Sequence, residues 1–294
     1  MGSGARVYTG GMTAPAGVST TAAPALIDVL GDAKDASRSL ATLTANVKNA
    51  ALEAIARELE GGVDRVLAAN ELDLANGREN GLSAGLLDRL RLDEARIAGL
   101  ARAVRDVIAL PDPVGTVVRG STLPNGVRLS QVRVPFGVVG AIYEARPNVT
   151  IDIAALALKS GNAAVLRGGS AAESTNRELV ALIRAALESV GLPAAAVQTI
   201  DPFGRAGATE LMRARGYVDV LIPRGSADLI QTVVRESTVP VIETGAGVVH
   251  IVLDASADES MAVEIVHNAK VQRPSVCNAV ETVLVHRDAA ARLL

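Results

Sequence analysis

The chain has 294 residues, of which 49% are hydrophobic and 21% are charged, a composition typical of a soluble globular protein with enough apolar side chains for a core. The formal net charge of −3 provides no basic field, so we expect no nucleic-acid partner. The chain has one cysteine and three dispersed histidines, and its apolar runs are too short to cross a bilayer. We therefore expect a cytoplasmic protein without a metal or a membrane span.

The first 25 residues are rich in Gly, Ala, Ser, Thr and Pro. They lack the compact apolar centre of a signal peptide. The composition predicts a disordered N-terminal extension over residues 1–25.

The next segment, from Ala25 to about Leu110, has apolar residues at helical spacing, which predicts a layer of helices. In one part of this segment, the residues predicted to share a helix face are Val47, Leu52, Ile55, Ala56 and Leu59. We interpret the charges in LRLDEARIAGLARAVRD, residues 90–106, as a solvent-facing surface.

A two-stranded arm is predicted after the helices. Asn125-Gly126 is a hairpin turn signal, and runs of alternating polarity lie on both sides of it. We expect this exposed arm over about residues 114–136.

Short apolar runs then alternate with helical segments, which predicts a parallel sheet covered on both faces and an α/β fold. The predicted strands are 137–143, 163–168, 196–200, 218–223, 240–244 and 248–253. The predicted helices are about 151–159, 172–190, 207–215 and 227–236. A further strand is predicted over residues 279–286.

Two predicted strand ends carry a Gly-Ser turn before a helix, where free backbone N–H groups and the helix dipole can bind phosphate. The first turn contains Arg167, Gly168, Gly169 and Ser170, and the second contains Arg224, Gly225 and Ser226. Such turns are also common for geometric reasons alone, with Ser as an N-cap.

Two further residues have a structural and a functional interpretation. Asn148 follows Arg146 at a strand end, where asparagine is either a turn residue or a ligand-facing amide. Cys277 lies between a turn and a predicted strand, and it is either a buried filler or a nucleophile.

Two stretches decide between these interpretations: EARPNVTIDIAALALKSGNAAVLRGGSAAESTN, residues 144–176, and NAKVQRPSVCNAVETVLVH, residues 268–286. They resemble the gamma-glutamyl phosphate reductase (glutamate-5-semialdehyde dehydrogenase) family within the aldehyde dehydrogenase superfamily. The resemblance runs from about Ala25 to the last residue. It implies a Rossmann-type cofactor-binding domain over residues 26–253, with the arm used for oligomerisation, and the start of a second α/β catalytic domain over residues 254–294.

The implied activity is the NADPH-dependent reduction of γ-glutamyl phosphate to L-glutamate 5-semialdehyde and phosphate, a step of proline biosynthesis. By resemblance, Cys277 is the nucleophile that forms a thioester. The Asn148 amide matches the superfamily asparagine that stabilises the oxyanion.

The resemblance also implies the cofactor contacts. Arg167 takes the place of a ribose-binding lysine, and Gly225 and Ser226 match the turn against the pyrophosphate. Because the turn from Arg167 through Gly168 and Gly169 to Ser170 has no acid before Glu173, we expect NADP(H) rather than NAD(H).

Arg273 is either a solvated loop charge or a group that lowers the thiol pKa and receives the departing phosphate. Arg146 is a second candidate for that phosphate. Glu243 receives no role, since a reductase that releases phosphate needs no water at the thioester.

By resemblance we expect a homo-oligomer, and association with glutamate 5-kinase is a further partner hypothesis. Members of the family continue beyond the position of Leu294, so we expect a truncated catalytic domain. The alternative function is therefore an inactive module of the same fold that binds cofactor or a partner subunit.

Overall fold

The structure is a computed structural model that describes residues 25–144, 146–245, 247–274 and 276–294. The predicted disordered extension lies outside the described residues, apart from Ala25. Within the described ranges, the helices are too short or too polar to span a bilayer.

The predicted helical layer is confirmed. Its members are α1 (Leu26–Leu40), α2 (Ala45–Gly61), α3 (Val63–Glu79), α4 (Ala84–Leu90) and α5 (Glu94–Ala109). The predicted face of α2 is wrong at one position, because Val47 is 37% exposed while Lys48 is 2% exposed. At 100° per residue, Val47 lies about 130° from the centre of the other four apolar residues, whereas Lys48 lies within their arc.

The predicted arm is also confirmed. Strands β1 (Val117–Thr122) and β2 (Arg128–Val132) pair antiparallel, and all their residues are exposed. Gly126 has φ +86°, the left-handed conformation that the tight turn requires.

The base of the arm is fixed by an ion pair with the helical layer. The Lys48 Nζ of α2 donates to Asp112 Oδ1 at 2.7 Å, and the Val114 N–H donates to the same oxygen at 3.0 Å. Burial raises the pKa of Asp112, but these donors outweigh burial and leave it below its usual value.

The central sheet has four parallel strands in the order β5-β4-β3-β6. The strands are β3 (Val138–Tyr143), β4 (Ala163–Arg167), β5 (Val197–Thr199) and β6 (Val220–Arg224). The helices between and after them are α6 (Pro147–Lys159), α7 (Glu173–Ser189), α8 (Gly204–Arg213) and α9 (Ala227–Glu236). The parallel sheet with intervening helices confirms the predicted α/β class.

One helix boundary and one strand differ clearly from the prediction. The helix predicted from about residue 151 begins at Pro147, because proline fits the first turn of a helix, where its missing N–H is not needed. The strand predicted over 240–244 is wrong: within the described residues the segment makes one bridge, from Val241 to Leu221.

A second, two-stranded sheet follows. Strand β7 (Val249–Leu253) pairs in parallel with β8 (Val280–Val285), and α10 (Glu259–Val271) connects them. Helix α11 (Arg287–Leu293) ends the described chain. The prediction that β7 extends the central sheet is wrong, because β7 pairs with β8. Its apolar run has the local pattern of a central strand, and that pattern does not identify the partner strand. The domain boundary at residue 253 stays a prediction.

A buried carboxylate joins the helical layer to the sheet. Asp73 of α3 is 3% exposed and accepts hydrogen bonds at the N-terminus of α7. Its donors are the Ser174 N–H at 3.1 Å, the Thr175 N–H at 2.8 Å and the Thr175 Oγ1 at 2.6 Å. A negative charge at this end of a helix is favoured by the helix dipole, so the contact fixes α7 against α3.

We expect Asp73→Ala to lower the free energy of unfolding by about 3 kcal/mol, because it leaves buried donors without an acceptor. Urea unfolding followed by circular dichroism measures the change. Glu71→Ala on the same helix is the matched control, because the Glu71 side chain is 65% exposed. Equal unfolding midpoints for the two variants would show that the contact adds no stability.

Candidate active site

The parallel register brings three strand ends to one edge of the central sheet. Ile142 of β3 lies opposite Arg167 of β4, and Tyr143 lies opposite Arg224 of β6. The chain therefore leaves all three strands at the same level. Ligands bind at this edge in open α/β sheets.

A cleft of about 730 Å³ opens at that edge. Its lining contains Cys277, Arg146, Gly225 and Ser226, all of which the sequence singled out. The lining also contains Arg224 from the end of β6. The structure thus places the thiol beside the second of the two predicted phosphate turns.

Cys277 is an exposed thiol, so the alternative of a buried filler is wrong. The Arg224 Nη2 donates to the Cys277 Sγ at 3.8 Å. This hydrogen bond lowers the pKa of Cys277 below its usual value despite partial burial, and the charge of Arg146 lowers it further. A thiol with a lowered pKa carries more thiolate at neutral pH, and thiolate is the nucleophilic form.

Gly247 holds the chain close to the cysteine. A Cβ at this position would lie 2.9 Å from the Cys277 carbonyl oxygen, closer than real Cβ atoms approach. A side chain at residue 247 would therefore push the cysteine loop away.

Asn148 lies in the first turn of α6, and it does not share the cleft with Cys277. Its Nδ2 donates to Asp152 Oδ2 at 3.1 Å, and burial raises the pKa of Asp152. Asn148 lines a neighbouring cavity of about 260 Å³. The two cavities share Arg89, Arg146 and Val276 in their walls. The oxyanion role of Asn148 stays a prediction.

Arg273 is paired with a carboxylate. Its Nη2 lies 2.9 Å from Asp88 Oδ2, and Arg96 lies 2.7 Å from the other oxygen of Asp88. These two guanidinium groups, Arg96 first, hold the pKa of Asp88 below its usual value. Arg224 is the arginine that donates to the thiol. Arg273 lines the cavity that contains Asn148 and a further cavity whose wall includes Cys277.

At the first predicted phosphate turn, side-chain carboxylates already bind the backbone donors. The Gly168 N–H donates to Asp201 Oδ1 at 2.7 Å, and Asp73 binds the start of α7. The pKa of Asp201 is raised by burial, in spite of these hydrogen bonds. The N–H groups of Gly168, Ser174 and Thr175 are therefore not free, and phosphate binding at this turn stays a prediction.

The same turn nevertheless retains features that fit a ribose or its phosphate. The Arg167 Nη1 bonds the Gly168 carbonyl at 2.5 Å, whereas its buried Nε has no hydrogen-bond partner within the part of the chain that the structure describes. Ser170 is exposed beside it, and Gly169 is half-buried. Gly168 is required for packing, since a Cβ there would lie 2.0 Å from Asn176 Nδ2.

The second turn is occupied by Glu144. The Ser226 N–H donates to Glu144 Oε1 at 2.8 Å, and the Ser226 Oγ caps α9 by accepting from the Leu229 N–H at 3.4 Å. A Cβ on Gly225 would lie 2.7 Å from Glu144 Cδ. A carboxylate thus takes the position predicted for a phosphate.

Comparison with known proteins identifies the family. The sequence model described as the aldehyde dehydrogenase family matches residues 13–294. The chain belongs to the aldehyde dehydrogenase family. This confirms the superfamily inferred from the two sequence stretches.

Relatives in the aldehyde dehydrogenase family carry a more specific name. A gamma-glutamyl phosphate reductase of Leifsonia xyli is 69% identical over 275 residues, which cover 94% of this chain and 65% of that protein. A gamma-glutamyl phosphate reductase of Clavibacter michiganensis is 68% identical, and the match covers 95% of this chain and 66% of that protein. The crystal structure of the Thermotoga maritima gamma-glutamyl phosphate reductase superposes with a TM-score of 0.83 at 42% identity, covering 91% of this chain and 65% of that one. The chain spans about 65% of the length of these aldehyde dehydrogenase family proteins.

Sequence reasoning missed several arginines of the site. Arg91 is exposed and Arg96 is half-buried, as a solvent-facing interpretation allows, but both also line the cavity that contains Asn148, which that interpretation did not include. Arg89 of α4 lines both cavities. No local signal separates these residues from surface charges, because the cavity forms only when α4, α6 and the segment after α10 meet.

We expect Arg224→Met to raise the pKa of Cys277, since it removes the guanidinium that stabilises the thiolate. The pH profile of alkylation by iodoacetamide, followed by intact mass, should therefore move to higher pH. Because the chain has one cysteine, the mass change reports this thiol alone. Arg235→Met, an exposed position on α9, is the control, and identical profiles for both variants would contradict the assignment.

Proposed function

We propose that this protein reduces γ-glutamyl phosphate to L-glutamate 5-semialdehyde with NADPH, as a step of proline biosynthesis. The observation that carries the proposal is the hydrogen bond from Arg224 to the exposed thiol of Cys277. The names of the relatives at 69% and 68% identity support the substrate.

The acyl-transfer step uses the thiolate and its arginines. The Cys277 Sγ attacks the acyl carbon, a C–S bond forms, and the C–O bond to phosphate breaks as phosphate leaves with the electron pair. Arg224 and Arg146 offset the negative charge of the thiolate and then of the departing phosphate. The product of this step is a thioester on Cys277.

The oxyanion of the tetrahedral intermediate needs hydrogen-bond donors that stabilise its negative charge. In this proposal Asn148 supplies its amide together with the backbone N–H of Cys277, and one such donor contributes about 3 kcal/mol. Asp152 accepts from the same amide at 3.1 Å in this structure. The amide must therefore exchange Asp152 for the substrate oxygen when substrate binds.

NADPH would be held by the turns at the sheet edge and would supply the hydride that converts the thioester to the aldehyde. Arg167, Gly168, Gly169 and Ser170 are assigned to the ribose and its 2′-phosphate. The Arg167 Nε, which has no hydrogen-bond partner among the described residues, supports this assignment. Gly225 and Ser226 are assigned to the pyrophosphate, which requires Glu144 to release the Ser226 N–H.

The arm is assigned to homo-oligomer contacts. Apolar side chains on it are exposed, including Val117 at 59% and Leu129 at 49%. Exposed apolar patches mark interaction surfaces. A functional association with glutamate 5-kinase, which makes the acyl phosphate, is proposed on the shared intermediate alone.

We expect Cys277→Ser to lower NADPH oxidation with γ-glutamyl phosphate by more than about a thousandfold, because an alcohol is a far weaker nucleophile than a thiolate at neutral pH. Fluorescence titration with NADPH should give nearly the same affinity for both proteins. Normal turnover by the serine variant would refute a thioester mechanism. An unaltered chain that binds NADPH without oxidising it in the presence of γ-glutamyl phosphate would favour a cofactor-binding module instead.

We expect Ser170→Glu to shift the coenzyme preference from NADP(H) toward NAD(H) by about tenfold, since a carboxylate repels the 2′-phosphate and accepts from the free ribose hydroxyls. Affinities for NADPH and NADH are compared by titration. Ser170→Ala removes the hydroxyl without adding charge and should change the ratio much less. The assignment fails if the glutamate variant keeps the original ratio.

A further inference from the structure

The cavity next to the thiol cleft has an unusual excess of arginine. Arg89, Arg91, Arg96, Arg146 and Arg273 all contribute to its wall. Asp88 pairs with both Arg96 and Arg273, and its single negative charge offsets one of their two positive charges. Within the described part of the chain, no ion pair with an acidic side chain involves Arg89, Arg91 or Arg146. The cavity therefore has positive charge that its own walls leave uncompensated.

Arg89 stands out in this group. Its buried Nε has no hydrogen-bond partner among the described residues. Burial lowers the pKa of the neighbouring Arg146, and the charge of Arg89 lowers it further. Since a buried donor without an acceptor costs free energy, the arrangement favours a bound anion.

The end of α4, which carries Arg89, and the turn after it, which carries Arg91, are held by hydrogen bonds. The buried Asn70 donates to the Leu90 carbonyl at 2.9 Å and accepts from the Leu92 N–H at 2.8 Å. On the other side, the Arg96 Nη1 donates to the Asp88 carbonyl at 2.7 Å and to the Arg91 carbonyl at 2.6 Å. A preorganised loop loses little entropy when it binds a ligand.

The two anionic groups of the substrate would lie in different cavities. The phosphate is bonded to the carbon that Cys277 attacks, so it must lie near the Sγ and Arg224 in the larger cleft. An acyl carbon between the Sγ and the Asn148 amide sends the remainder of the substrate into the smaller cavity, which Asn148 lines. That remainder ends in a carboxylate.

Resting on the proposed function, we infer that Arg89, with Arg91 beside it, binds the α-carboxylate of the substrate and so determines specificity for an amino-acid acyl phosphate. Arg89 reaches both cavities and is suited to a bidentate contact with a carboxylate. The phosphate end is bound separately, by Arg224 and Arg146. Acyl phosphates without the second anion would lose the contact with Arg89.

The test measures how ligands protect Cys277 from iodoacetamide, a neutral reagent, using intact mass on the 294-residue chain. The probes are L-glutamine, which has a free α-carboxylate, L-glutaminamide, which has none, and inorganic phosphate. We expect L-glutamine to slow alkylation and L-glutaminamide to have little effect. Arg89→Met should weaken protection by L-glutamine about tenfold or more, since a charge-assisted hydrogen bond is lost. Protection by phosphate should remain.

Arg38→Met is the matched control, because this arginine is 75% exposed on α1 and should leave both protections intact. Arg89→Lys keeps the charge without the planar fork and should restore part of the L-glutamine effect. Retained phosphate protection shows that Arg89→Met is folded. Equal protection by L-glutamine in the unaltered and Arg89→Met proteins, or equal protection by glutamine and its amide, overturns the subsite. If neither L-glutamine nor phosphate protects the unaltered protein, the proposed function itself fails.

Discussion

The parallel pairing of β3 with both of its neighbours is the constraint on which the site depends. All six residues of β3 are buried, and the strand is hydrogen-bonded to β4 on one side and β6 on the other. Because the three strands end at one level, the segments after Tyr143, Arg167 and Arg224 must diverge from the same edge. Divergence at that edge creates the cleft, and the helices then fix the direction of each segment.

The electrostatic potential at this edge of the sheet is set by the charged side chains that lie there. Asp73 and Glu144 bind the N-termini of the two helices that follow β4 and β6, so these dipoles are balanced by carboxylates of the protein. Arg89, Arg146 and Arg224 line the cleft that contains the cysteine. Of these, Arg224 is in direct contact with the thiol.

Local patterns predicted the helical layer, the arm and the four central strands, because hydrophobic periodicity is set by the element itself. Three features depended on contacts remote in sequence. Asp73 lies 101 residues from Ser174, so no window of the sequence shows that the helix end is already occupied. The apolar run of β7 is compatible with a central strand, and only its pairing with β8 decides otherwise. Arg91 and Arg96 have the spacing of surface charges, and they line a cavity because Arg273, which pairs with Asp88, contributes to the same wall.

Because Glu144 accepts from the Ser226 N–H, an anion that binds at this turn would have to exchange with the carboxylate. An incoming phosphate gains the backbone donor and the helix dipole, but the carboxylate that leaves gives up the same interactions. The net free energy is therefore a difference between two anions, which moderates affinity without removing selectivity for the more highly charged one. Release is assisted in the same way, because a departing ligand is replaced by a group that is already tethered nearby. A turn of this kind is suited to a ligand that must bind and leave in every cycle, rather than to one that is held permanently.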